Sequence, residues 1–259
     1  MSDLSTCYPE LDKYVASLST IPSCRLKVGA RYGLPRESPA FTSRLSEFRI
    51  GSTPVTVDMW SEYCEANSLC MPEPPEWGWI KGHPIVNVSW HDIMGIDGTS
   101  GFCSWVTKVT GIEVSLPTEA QYECASWGEF GPKRDPDDHD IHYPWGEMFD
   151  DSMLWCSRVT TRFSTAPVDR DYNVYRNNFG LSDMSGNVWQ WCMDLYGEYT
   201  WDEKIDPVGP PETPSNKRCI RGGSWGRNWP ENFRCANREH AAADARVQVL
   251  GFRLAAEME

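Results

Sequence analysis

The stretch Gly180-Leu-Ser-Asp-Met-Ser-Gly-Asn-Val-Trp-Gln-Trp-Cys-Met-Asp194 constrains this chain more than any other. Its first half is small and polar: Ser182, Asp183, Ser185, Gly186 and Asn187. Residues of this kind build turns that point side chains and carbonyls inward. Its second half, Val188-Trp-Gln-Trp191, alternates as a strand does, with both indoles on one side. The stretch therefore reads as an oxygen-rich loop that runs directly into an aromatic strand. Oxygens of Asp183, Gly186, Val188 and Gln190 converge in such a turn, and hard cations take roughly six to eight oxygen ligands. We expect a weak calcium site at these four residues.

The chain of 259 residues fits one large domain better than two. A formal charge of −13 gives no basic face for a phosphate backbone, so nucleic acid is not an expected partner. Thirteen Trp residues imply aromatic cores or ligand walls. No run approaches the ~18 apolar residues of a membrane span, so no membrane insertion is expected. Met1-Ser-Asp-Leu-Ser-Thr-Cys7 lacks the basic-then-apolar pattern of a signal peptide, so we expect cytoplasmic synthesis. Ten Cys without a CxxC pair argue against a zinc ribbon. Buried thiols are the default, although the even count leaves disulfides open.

Along the chain, Leu4 to Leu18 has helical spacing, with Leu11, Tyr14, Val15 and Leu18 on one face. Arg25 to Gly29 and Leu45 to Ile50 alternate as strands. A helix is expected after Thr56, through Trp60 and Cys64. Pro84 to Trp90 reads as a strand-like approach to a second, irregular helix from His91 through Cys103 to Val109. Thr118 suits the N-cap of a third, Glu119 to Trp127. The segment from Gly128 to Asp151 reads as loop, and its acidic run from Asp135 to Asp140 as a solvated one rather than a calcium loop.

Gly186-Asn-Val-Trp-Gln-Trp191 resembles the Gly-Asn-Val-Trp-Glu-Trp signature of the formylglycine-generating-enzyme-like (sulfatase-modifying-factor) superfamily. Three further stretches agree, in the family's order: His83-Pro-Ile-Val-Asn-Val-Ser-Trp90, Leu116-Pro-Thr-Glu-Ala120, and Arg221-Gly-Gly-Ser-Trp225 with Gly251-Phe-Arg-Leu-Ala255. The resemblance implies an α+β, C-type-lectin-like fold, loop-rich and low in regular secondary structure. It covers residues 22–259 as one domain and leaves 1–21 as a helical extension, for partner docking or for packing onto its own domain. It also implies that Arg221, Arg234, Arg238 and Arg253 pair with buried carboxylates such as Glu119 or Asp194. The family has Glu where Gln190 stands, which removes a carboxylate from the expected calcium site and leaves a loop closed without a cation as the alternative.

The family's enzymes hold copper(I) on two cysteines shortly after Gly-Gly-Ser, and thiolates select that soft ion. By resemblance, Arg227 stands at the first of those positions, and the second falls near Glu231 or in a gap. A guanidinium stays protonated and offers no lone pair to a metal. The iron site of another branch needs an additional helical domain that is not seen here. We therefore expect neither copper nor iron. The expected function is a non-catalytic recognition or assembly module, a component of a virion or another large complex, that binds a protein or glycan partner. Its binding face would comprise Ser224, Trp225, Arg227, Asn228, Trp229 and Glu231 with Trp189, extended by Asn232, Arg238, Glu239, His240 and Gln248. The rival expectation is an oxygen-dependent oxidoreductase with a remodelled site, in which Ser224, Trp189 and Arg227 line a substrate cleft.

Overall fold

The computed structural model describes residues 7–31, 33–96, 99–128, 143–158, 163–170, 176–211, 215–227 and 229–258. Three helices start where a hydroxyl caps them. Thr56 accepts from the Met59 amide and opens α2, Val57–Ala66. Ser89 and Asp92 form a capping box at α3, Trp90–Met94. Thr118 and Gln121 form another at α5, Glu119–Trp127. Each box satisfies amides that the first turn leaves without partners. The expected long second helix is broken in two, α3 and then α4, Phe102–Thr110. Gly95 sits between them at φ +91°, where a Cβ would lie 2.1 Å from the Thr99 carbonyl. Pro84 to Trp90 is not a strand. It makes one bridge, Thr56 to Pro84, and Asn87 at φ +57° turns the chain away from further pairing.

The first sheet is ordered β1-β4-β11-β5, from Ser19–Ile21, Phe48–Ile50, Ala255–Glu257 and Val114–Ser115. The second is ordered β10-β6-β8-β9, from Leu250–Gly251, Trp189–Leu195, Lys217–Arg221 and Arg238–Ala242. The third joins β2 (Cys24–Val28), β3 (Phe41–Leu45) and β7 (Lys204–Ile205). The run expected as one strand from Leu45 to Ile50 is divided between the end of β3 and the whole of β4.

Helix α1, Pro9–Ala16, lacks a side-chain cap of its own. The Glu62 carboxylate, on α2, takes that role and accepts the Glu10 and Leu11 amides at 3.0 Å each. Tyr14 donates its hydroxyl to the Thr53 carbonyl and accepts the Leu254 amide, both at 3.1 Å. Leu11 and Tyr14 belong to the main core, and β1 pairs with β4. Residues 9–21 are therefore built into the domain.

The two indoles expected on one side of a strand, Trp189 and Trp191, both enter this core from β6, and Cys192 enters the second. Beside them Trp60 stacks on Phe102, ring centroids 5.0 Å apart, with Phe252 edge-on to both. Such pairs contribute about 0.5–1.5 kcal/mol each beyond area burial.

Candidate functional site

The loop before β6 is held by positive-φ backbone at Asp183 and Asn187, conformations that Asp and Asn tolerate best among residues with a Cβ. The Asp183 carboxylate pairs with Arg170 and accepts the Asn187 side-chain amide at 2.9 Å. Its carbonyl accepts from the Gln190 amide nitrogen at 2.7 Å and from Arg253 at 3.2 Å. Arg253 also donates to the Gln190 side-chain oxygen at 2.6 Å and to the carbonyls of Gly51 and Ser182. The Gly186 amide donates to the Gly222 carbonyl, and Val188 is fully buried. Asp183, Gly186, Val188 and Gln190 thus do not fit the calcium ion expected of them. Two guanidinium groups already occupy the polar centre, and Gln190 turns a donor toward it. Among the described residues no group of three or more His, Cys, Asp or Glu side chains is placed to hold a metal.

The arginines behave as the resemblance implies, with one exception. Arg221 pairs with Glu123, Arg238 with Glu119 at 2.7 Å, and Arg234 with Glu37 at 2.7 Å. Arg253 differs: its acceptors are an amide and three carbonyls. Burial would raise Glu119, but the neighbouring Arg238 and Arg221 hold it below the usual carboxylate range. Among the described residues Asp194 makes no ion pair with an arginine. It accepts the Glu119 amide at 2.7 Å, and burial together with the Glu119 charge pushes it up to about 7.

The Arg221-Gly-Gly-Ser-Trp225 turn follows. A Cβ on Gly222 would meet the Tyr122 hydroxyl at 2.5 Å, and one on Gly223 the Asn232 carbonyl at 2.8 Å, both at positive φ. Only glycine fits either position. Beyond the turn the Trp225 amide donates to the Asn187 carbonyl at 2.8 Å. Asn187 also grips the Ala166 backbone from both sides, at 3.0 Å each, as a strand residue would. Ser157 donates its amide and hydroxyl to the Arg227 carbonyl at 3.2 and 2.8 Å. Ala166, held by Asn187, lines an open cleft of about 740 Å³.

Trp77, Trp155, Phe163 and Ile80 form the apolar walls of this cleft, and His83, Ser164, Thr165 and Arg170 its polar groups. Phe163 is 74% exposed. His83 meets the Thr165 hydroxyl at 2.9 Å, and burial and the Arg170 charge push it below its ordinary value. It is therefore neutral at pH 7. The Trp155 indole donates to the Ser164 carbonyl at 2.9 Å. An aromatic cleft with a few fixed polar groups suits a flat, hydroxylated or extended ligand.

Several residues expected on a binding face are elsewhere. Trp189 is 2% exposed in the core, Ser224 is buried, and Arg238 is buried over Tyr196 and Tyr199. Trp225, at 6% exposure, is also removed from the surface. Its ring meets Trp77 edge-on at 5.3 Å and its indole donates to the Gln248 carbonyl at 3.2 Å. Ser224 and Trp225 are covered because every residue of the turn from Arg221 to Trp225 is buried, and Trp189 and Arg238 because they begin β6 and β9 and face inward. Glu239 is half-buried and paired with Arg36, and His240 lies edge-on to Tyr196 at 4.6 Å. Asn232 and Gln248 are half-buried. Arg227 and Glu231 are exposed, and Trp229 is 68% exposed. Asn228 and the acidic run from Asp135 to Asp140 lie outside the described residues. The cleft walls were missed. Two indoles in the proline-rich run Pro74-Pro-Glu-Trp-Gly-Trp79 were the available signal.

The model of the sulfatase-modifying factor enzyme 1-like domain matches residues 8–258. A serine/threonine-protein kinase pkn1 of Chlamydia caviae is 32% identical over 252 residues, 88% of this chain and 36% of the relative. A formylglycine-generating enzyme of Streptomyces coelicolor is 32% identical over 190 residues, 67% of this chain and 52% of the relative. The chain thus spans about a third to a half of the length of these curated relatives. Among solved structures, PvdO from Pseudomonas aeruginosa superposes with a TM-score of 0.76 at 24% identity, over 93% of this chain and 94% of that one, and shows the fold alone. By a match from residue 8 to residue 258, this chain belongs to the family of sulfatase-modifying factor enzyme 1-like, or formylglycine-generating-enzyme-like, domains.

Proposed function

We propose that this chain is a non-catalytic recognition module of its family, which takes a protein or glycan partner across the aromatic cleft and the adjoining Arg227–Glu231 loop. One observation carries the reading. By resemblance, Arg227 stands at the first copper-holding cysteine and the second falls near Glu231 or in a gap; Arg227 is exposed, and its carbonyl accepts from Ser157, two residues from Trp155 of the aromatic cleft. Arg227 cannot serve as a soft-metal ligand, but its charge suits a polar or acidic partner. Trp229 and Phe163 supply exposed ring faces for stacking. A virion or another large assembly is a natural setting for such a module.

Similarity to the Streptomyces coelicolor formylglycine-generating enzyme favours a second reading, an oxygen-dependent oxidoreductase with a remodelled site. Two residues proposed to line its substrate cleft, Ser224 and Trp189, are buried.

The deciding experiment has two arms. In the first, the chain is loaded with copper(I) and mixed with a cysteine-containing peptide, and oxygen uptake is followed; none is expected. In the second, the immobilised chain is offered a glycan panel and candidate assembly proteins, alongside Trp229→Ala, Arg227→Ala and Phe163→Ala. Loss of a central anchor weakens binding by about 2 kcal/mol, roughly 30-fold. Copper-dependent turnover, or binding that all three variants retain in full, overturns the proposal.

A further inference from the structure

Ten cysteines and no copper pair raise the question of what the remaining sulfurs do. Cys24 opens β2 and Cys124 lies within α5, far apart in sequence. Their sulfurs are 3.2 Å apart, in hydrogen-bond contact, and both are free thiols. Cys24 is partly exposed at the end of its strand, whereas Cys124 is buried in the second core. Cys24 is thus the more accessible of the two residues, and Cys124 lies behind it. A more accessible thiol in contact with a buried one is the arrangement of an attacking and a resolving cysteine.

We propose that Cys24 and Cys124 form a reversible oxidation site, a dithiol that a low-molecular-weight disulfide converts into a cross-link between β2 and α5. The Cys24 thiolate attacks one sulfur of the reagent. A mixed disulfide forms, and the first small thiol leaves with the proton that Cys24 gave up. Cys124, losing its proton to solvent, then attacks the Cys24 sulfur and expels the second small thiolate, which takes up a proton. Two protein thiols are oxidised to one disulfide, and one small disulfide is reduced to two thiols.

Electrostatics supports that order. The hydrogen bond from Cys124 lowers Cys24, and the same contact together with burial raises Cys124. Thiolate character therefore concentrates on the accessible sulfur, where the first attack occurs. The cross-link would reinforce an existing tie, since the Gly29 amide after β2 donates to Glu123 on α5 at 2.9 Å. It would brace the helix whose Glu119 and Glu123 neutralise Arg238 and Arg221 beneath the Gly-Gly turn. It would also close a loop with a sequence separation of 100, which constrains the denatured chain.

The test uses the full chain, purified reduced and exchanged into a buffer with oxidised glutathione. Remaining thiols are alkylated, the protein is digested without reduction, and the peptides are mapped by mass spectrometry. A Cys24–Cys124 cross-linked peptide is expected. It should vanish on treatment with dithiothreitol, and the cross-linked chain should melt roughly 4 °C or more above the reduced one. In Cys124→Ser, Cys24 should stop at the glutathione adduct. The proposal is overturned if Cys24 and Cys124 are both recovered alkylated while the exposed Cys7 and Cys70 carry glutathione. It is equally overturned if Cys24 in the unsubstituted chain ends as a stable glutathione adduct. Both of these outcomes are measured on the unsubstituted protein and hold whether or not Cys124→Ser folds.

Discussion

The loop from Asp183 to Gln190 and the loop from Arg227 to Glu231 look alike in sequence. Both are polar, both lie beside glycine turns and tryptophans, and both read as places where a ligand sits. In the folded chain they are opposites. The first closes on itself: Arg170, Asn187, Gln190 and Arg253 occupy the oxygens of Asp183. In the second, Arg227, Trp229 and Glu231 are exposed. Polar composition reports that partners are needed. It does not report whether the partner comes from the same chain. The closed loop is scaffold, and the open one carries the recognition we propose.

That contrast breaks first at the arginine network under the closed region. Glu123→Ala removes the nearer carboxylate of the buried Arg221 guanidinium, leaving only Glu119 at 3.6 Å, and should cost about 3 kcal/mol. Thermal or urea denaturation checks it; a variant that unfolds with the parent would mean that the network contributes nothing to the scaffold.

The next effect is a pH dependence. Asp194 is raised to about 7 in the fold, above its unfolded value near 3.8. The native state therefore binds its proton more tightly, and the stability this supplies is complete below the unfolded value and lost as pH rises through about 7. Relative to Asp194→Asn, the parent should lose a few kcal/mol between about pH 4 and 7. A difference between the two proteins that stays flat over that window contradicts the buried, protonated Asp194.

Smaller again is Asp183→Ala, which strips partners from Arg170 and Asn187 and should cost about 1–3 kcal/mol. Millimolar calcium should change neither the parent's melting temperature nor the variant's. A calcium-dependent rise in the parent that the variant lacks would restore a cation to this loop.

The smallest expected effect on stability is at the open loop. Trp229→Ala should stay within about 0.5 kcal/mol of the parent, as surface substitutions do, while weakening partner binding. A large drop in melting temperature would place Trp229 in a packed role and erase the contrast between the two loops.

Much of the scaffold was legible in the chain. Thr118 announced α5 to the residue, because a cap acts on amides only two or three positions away. The alternation in Val188-Trp-Gln-Trp191 announced β6 and the common face of its indoles. Where the reading slipped, a backbone device intervened. Gly95 cut one helix into two, and Asn87 turned an expected strand into a loop. At the site, Trp229 was correctly read as exposed, whereas Trp225, Ser224, Trp189 and Arg238 were not. Trp77, Trp155 and Phe163 were missed because three separate loops bring them together.

By itself the sequence determined the family, the α+β character and the positions of most helices and of the central strand. These follow from motifs, caps and periodicities that act over a few residues. Only the tertiary structure decided which polar groups are satisfied internally and which are left for a partner. Arg253 reaches Gln190 across a separation of 63 residues, Arg238 reaches Glu119 across 119, and Arg234 reaches Glu37 across 197. A buried charge must find a counter-charge or hydrogen-bond acceptors wherever the fold delivers them. No local pattern records that delivery, so the same polar stretch reads equally well as a ligand site or as the core of the scaffold until the distant arginine is seen to arrive.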